Sequence, residues 1–106
     1  MATLEDREKE FETRFMHDHD LRFKVTARRN RLAGLWAAEK MGISGAAAED
    51  YAKTVVAAEL GKDGDKHVID KLVADLAAKG QSLTPAQVQF ELDHLAERAK
   101  QQIMQE

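Results

Sequence analysis

The sequence predicts an all-α protein: a four-helix bundle whose long first helix carries an N-terminal arm that overhangs the bundle or is disordered. Three observations predict it. No Gly or Pro interrupts the chain from Ala2 to Ala33. Five of the six glycines (Gly42, Gly45, Gly61, Gly64 and Gly80) then fall between apolar stretches, where helices end. Within each stretch the apolar residues recur at steps of three and four, and none alternates with period two over a useful length.

The first helix is expected from Leu4 to Met41, closed by Gly42 in the left-handed position that follows a helix. At 1.5 Å per residue it would run roughly 57 Å, against roughly 22–33 Å for the others. The other helices cover only its second half, around Leu21, Val25, Leu32, Leu35 and Trp36. The first twenty or so residues therefore project, fold back, or stay disordered until something binds them. Acid-then-base pairs four apart support helix there: Glu5–Lys9, Glu10–Arg14, Asp18–Arg22 and Asp20–Lys24. A thin apolar stripe of Leu4, Phe11 and Phe15 runs along the arm. It either covers the bundle's own end or supplies two aromatic anchors for a partner's groove.

Ser44 is the expected cap of a second helix, about Ala46–Leu60, and Asp65 that of a third, about Lys66–Lys79. The fourth start is the clearest. Thr84 caps, Pro85 takes the first helical position, Gln87 completes a capping box, and Leu83 with Val88 forms a staple. That helix runs to about Met104.

At 106 residues, 43% hydrophobic and 33% charged, the chain reads as one globular domain. It has no Cys, which excludes disulfides, Cys-bound zinc and Cys nucleophiles. The N-terminus lacks a signal peptide's apolar segment, and the apolar charge-free runs Leu32–Ala38 and Met41–Ala48 are too short to span a bilayer. A soluble, cytoplasmic protein without membrane insertion is expected. A net charge of −3 disfavours nucleic-acid binding. Acids nevertheless crowd residues 1–20, whereas residues 21–31 carry five bases and no acid.

His17-Asp18-His19-Asp20 suggests a metal tract, but a helix sends His17 and His19 to opposite sides, so no metal site is expected. Asp63-Gly64-Asp65 lacks the oxygen ligands of a calcium loop. The only serines, Ser44 and Ser82, have no local His partner, and no catalytic role or cofactor is expected. Arg28, Arg29 and Arg31 near Trp36 could contact a phosphate or nucleotide. The plainer alternative is a solvated face pairing with Glu49 and Asp50. Gly34 inside the first helix is explained by close approach of another helix.

The series Asp6-Arg7-Glu8, Phe11-Glu12, Phe15, His17-Asp18, Phe23-Lys24, Ala27-Arg28-Arg29-Asn30 and Gly34-Leu35-Trp36-Ala37-Ala38-Glu39 resembles a known family. That family is the zeta subunit of alphaproteobacterial F-type ATP synthases, a small inhibitor of the rotary enzyme. Gly42, Gly45 and Tyr51-Ala52 continue the similarity, which is dense over about residues 4–52 and looser afterwards. His19 and Thr26 depart from the pattern, which favours acids there. The resemblance implies a mobile inhibitory arm over residues 1–20 and a bundle domain over residues 21–106. The arm would enter the catalytic head between an alpha and a beta subunit near gamma and block hydrolytic rotation. It implies Phe11 and Phe15 as anchors and Asp6, Arg7, Glu8, Glu12 and Arg14 as charged contacts, within a partner-binding segment from Leu4 through His17 and Asp18. It also implies a monomer that is not an enzyme, held at the inner face of the cytoplasmic membrane through the synthase.

Two other readings stay open. One is a sensor binding ATP or ADP weakly at Arg28, Arg29, Arg31 and Trp36. The other is a helical adaptor that self-associates through Phe11 and Phe15.

Overall fold

The single long helix expected at the start of the chain is two helices. The computed structural model describes residues 3–106. Met1 and Ala2, where the uninterrupted stretch and the N-terminal sequence begin, lie outside them. The order is α1 (Leu4–His17), α2 (His19–Lys40), α3 (Gly45–Ala58), α4 (Gly64–Ala78) and α5 (Pro85–Met104), with no strand among the described residues.

Asp18 makes the break. Its backbone is extended (φ −107°, ψ 106°), and its carboxylate accepts a hydrogen bond from the Leu21 amide at 3.1 Å, capping α2. This is the carboxylate that the sequence pattern pairs with Arg22. The interruption costs few backbone hydrogen bonds, because the Asp18 N–H still reaches the Arg14 carbonyl and the Arg22 N–H the Asp18 carbonyl. Of the three outcomes open to the first residues, the structure shows folding back. Phe11 of α1 meets Leu21 and Val25 of α2 together with Ala99 and Ile103 of α5. The molecule measures 51 × 29 × 23 Å, shorter than the unbroken helix alone would be.

Two apolar clusters result. The larger draws on four helices, with Ala33 and Ala37 of α2, Val55 of α3, Val68, Leu72 and Leu76 of α4, and Val88, Leu92 and Leu95 of α5. The smaller is the Phe11 cluster, and Leu32 packs against both. Of the expected stripe of α2, Leu21 and Val25 are buried, but its second half is displaced. Leu32, Leu35 and Trp36 sit at the edge of the core, while Ala33, Gly34, Ala37 and Ala38 are buried. Small residues face inward because α2 and α3 nearly touch. A Cβ placed on Gly34 would stand 2.6 Å from the Ala52 Cα.

The terminators behave as their residue types dictate. Gly42 and Gly80 take positive φ (75° and 79°), and the following amides, Ile43 and Gln81, bond back to the Ala38 and Leu76 carbonyls. Thr84 and Gln87 form the full capping box with Pro85 at its expected place. Leu83 and Val88 join the larger core. Ser44 occupies the position before α3 but makes no side-chain cap. The start of α4 differs from expectation: Asp63, in the left-handed conformation, precedes the helix, and Asp65 turns to another partner.

Two predictions follow from this packing. Gly34→Ala gains helix propensity worth about 1 kcal/mol but must push α3 away, so a net loss of about 1–2 kcal/mol is expected in chemical denaturation. Tyr51 joins α3 to α4 by donating its hydroxyl to Asp75 at 2.8 Å. Burial first, then the Asp75 hydrogen bond and charge, raise its phenol well above the ordinary value of 10.0. The native state then keeps a proton that the unfolded chain releases, so stability is intact below about pH 10 and falls as pH rises past it. Unfolding followed between pH 9 and 12 should show Tyr51→Phe losing stability less steeply than the wild type.

Candidate functional site

The residues expected to bind a partner occupy one short helix with its own closures. At the N-terminus of α1 the Asp6 amide bonds to Thr3 Oγ1 (3.1 Å) and the Thr3 amide to Asp6 Oδ2 (3.2 Å), a capping box. Asp6 thus stabilises α1 itself. At the other end His17 closes the last turn and Asp18 caps both neighbouring helices. The acid-rich first turn and the base-containing last turn suit the helix dipole.

The face that α1 turns inward is its aromatic one. Phe11 is only 6% exposed and Phe15 is half-buried, whereas Leu4 is 62% exposed and makes no part of the contact. Lys100 of α5 holds this face from the side. Its Nζ lies 4.3 Å from the Phe15 ring centroid and 3.4 Å from the Glu12 carboxylate. Arg7 and Arg14 border a cleft of about 390 Å³ between α1, the start of α2 and the end of α5, shared with Lys24, Ile103 and Glu106. Glu8 is exposed. Sequence reasoning places Ile103 on the apolar face of the last helix but connects neither it nor Lys100 to the arm, because nothing local ties them to α1.

The three arginines separate. Arg28 reaches the end of α5, donating to Gln102 at 3.0 Å and pairing with Glu106. Arg31 makes a forked contact with Glu49 of α3 at 2.9 and 3.0 Å, as the plainer alternative has it. Arg29 is buried, binding Glu59 at 2.8 Å, Asp65 at 2.7 Å and the neighbouring Asn30 at 3.0 Å. Asn30, fully buried, donates to the same Glu59 oxygen at 2.9 Å. Burial raises Glu59 above the ordinary carboxylate range, partly opposed by the Asn30 hydrogen bond, and the Arg29 hydrogen bond lowers Asp65. This clamp ties the α3–α4 turn to α2. Trp36 stands apart against the larger core, with Lys40 Nζ 5.4 Å from its ring. A phosphate at the cluster would therefore compete with carboxylates already in place, and the structure does not bring Arg29 and Trp36 into the cavity that Arg28 and Arg31 share.

Among the described residues no three His, Asp or Glu side chains converge on a metal position, and no helix is long and apolar enough to cross a membrane. Fold and site thus define a small all-α protein with an acidic amphipathic helix laid across one end. Residues 1–102 match the family model described as ATPase inhibitor subunit zeta, and the chain belongs to that family. Comparisons with curated proteins and with solved structures returned no match.

The clamp is directly testable. Arg29→Ala leaves two carboxylates and a buried amide without their partner, and a loss of roughly 2–3 kcal/mol is expected, between exposed and buried ion pairs. Arg29→Lys keeps the charge but not the fork and should recover less than half. Amide exchange should accelerate first around Leu60–Asp63.

Proposed function

We propose that the protein inhibits ATP hydrolysis by the F-type ATP synthase, using residues 1–20 as a mobile inhibitory arm. The arm leaves its place on the helical body and enters the catalytic head between an alpha and a beta subunit near gamma, where it opposes rotation in the hydrolytic direction. Family membership supports the inhibitory role. The observation that carries the arm mechanism is that α1 is a separately capped helix whose main apolar contact is a single buried side chain, Phe11.

The energetics favour exchange. Burying Phe11 contributes roughly 2–3 kcal/mol. The Glu12–Lys100 pair, half-exposed on its carboxylate side, adds about 1 kcal/mol, and the Lys100–Phe15 contact about 1 kcal/mol. A partner groove that accepts both rings can outcompete that docking and has only this modest amount to displace. On this reading Phe11 and Phe15 are the anchors in both places. Arg7, Glu8, Glu12 and Arg14 make charged contacts in the head, and Asp6 and Asp18 keep the helix closed at its ends. Leu4, already exposed, and His17 flank the anchors. The protein works as a monomer at the inner face of the cytoplasmic membrane, held there through the synthase.

The test is ATP hydrolysis by the cognate catalytic head with the full-length chain and with a form lacking residues 1–16. Hydrolysis should fall only with the full-length chain. Equal inhibition by the two forms would rule out the arm, and no inhibition by either would rule out the function.

A further inference from the structure

We propose that the groove between the first half of α2 and the C-terminal end of α3 docks an acidic amphipathic helix of the catalytic head, as a second contact separate from the arm. The identity of the partner rests on the function proposed above; the groove itself rests on its own geometry.

Five large apolar side chains are strongly exposed among the described residues, and two of them converge. Phe23 (64% exposed) and Leu60 (70%) border the same cavity of about 350 Å³, whose floor includes Ala27, Val56 and Ala57. The other three lie in α1 and α5. A second cavity of about 320 Å³ adjoins it, sharing Phe23, Ala27 and Val56 and adding Lys24, Arg28 and Arg31. Apolar side chains that meet in a concave place, rather than scatter singly, mark an interaction surface. The groove is also firmly built. Leu60 follows Glu59, which Arg29 and Asn30 hold to α2, so its wall does not depend on a loose turn.

Charge selects the occupant. Arg28 is matched by Glu106 and Arg31 by Glu49. Glu59, the acid bordering the groove, is taken up by Arg29 and Asn30. Lys24 and Lys53, which flank the apolar floor on either side, have no carboxylate within 4.0 Å among the described residues. The groove is thus apolar in the middle with uncompensated positive charge at its edges, in a chain whose net charge is −3. A purely apolar segment would leave both lysines unanswered, and a small anion would leave Phe23 and Leu60 uncovered. A helix with leucine-like anchors on one face and carboxylates beside them satisfies both features. Phe23 lies five residues beyond Asp18, so this surface continues directly from the hinge that carries the arm.

The experiment measures affinity of the labelled full-length chain for the cognate catalytic head by fluorescence anisotropy, with hydrolysis assayed in parallel. Wild type is compared with Leu60→Asp and Lys53→Glu, both at exposed positions, with helicity and thermal unfolding checked against wild type. Either variant should bind roughly tenfold more weakly, as expected for a groove contact that matters. Binding by both variants at wild-type strength would overturn the groove and leave the arm mechanism standing. Weakened binding by the variants, with a wild-type chain that binds but does not inhibit, would support the groove and overturn the inhibitory reading. No binding by the wild-type chain would overturn both. Concentration-dependent dimerisation of the wild type, abolished by Leu60→Asp in sedimentation, would overturn the assignment by making the groove an interface between copies.

Discussion

The near-contact of α2 and α3 at Gly34 and Ala52 sets the register for everything else that α2 touches. With no side chain at Gly34, the two backbones lie close enough for Ala33, Ala37 and Ala38 to be buried with almost no volume of their own. The antiparallel register places Arg31 opposite Glu49 and brings Asn30 and Arg29 to Glu59 at the far end of α3. From there Arg29 reaches Asp65 and fixes where α4 begins. Larger side chains on α2 are displaced to the edges, where Leu32 bridges the two clusters and Trp36 flanks the larger one. A buried polar network beside a tight apolar seam is tolerable because every member has a partner. Among the described residues no buried side-chain nitrogen or oxygen is left unsatisfied.

Much of this was legible in the sequence wherever the determinant was local. Thr84, Pro85 and Gln87 announce α5 to the residue, and Gly42 and Gly80 close their helices with the bonds that such glycines usually make. Gly34 was readable as a close approach, though not against which residue. The break at Asp18 was not read. Neither Gly nor Pro marks it, and an aspartate four residues before an arginine suits a continuous helix as well as a cap. What decides between them is the burial of Phe11 on Ala99 and Ile103, at the opposite end of the sequence. The same limit applies to Arg29. Its place in an arginine-rich run suggests a surface charge, and only the fold brings Glu59 and Asp65 to it. Asp63, left-handed without being glycine, is a third case in which tertiary anchoring, here of Asp65, overrides the expected local cap.

The aromatic face of α1 has to satisfy two surfaces if it serves as an arm. Strong self-docking would hide the anchors and reduce apparent affinity by the fraction of molecules left open. Weak self-docking would leave two rings in water. One buried ring, one half-buried ring and a shared lysine lie between those extremes. The polar residues on the outer face of α1 cost nothing in the docked form, since they stay solvated.

The first and last helices meet at the same end of the molecule. Arg7 and Glu106 border one cleft, Phe11 rests on Ile103, and Arg28 bridges from α2 to Gln102 and Glu106. Helix ends ordinarily fray independently, each on its own account. Here the last turn of α5 and the middle of α1 form one cooperative patch, so unwinding of either uncovers the other. A cross-link between positions 7 and 106 would hold α1 against its own body, whereas bulk grafted beside Glu106 would pry it loose.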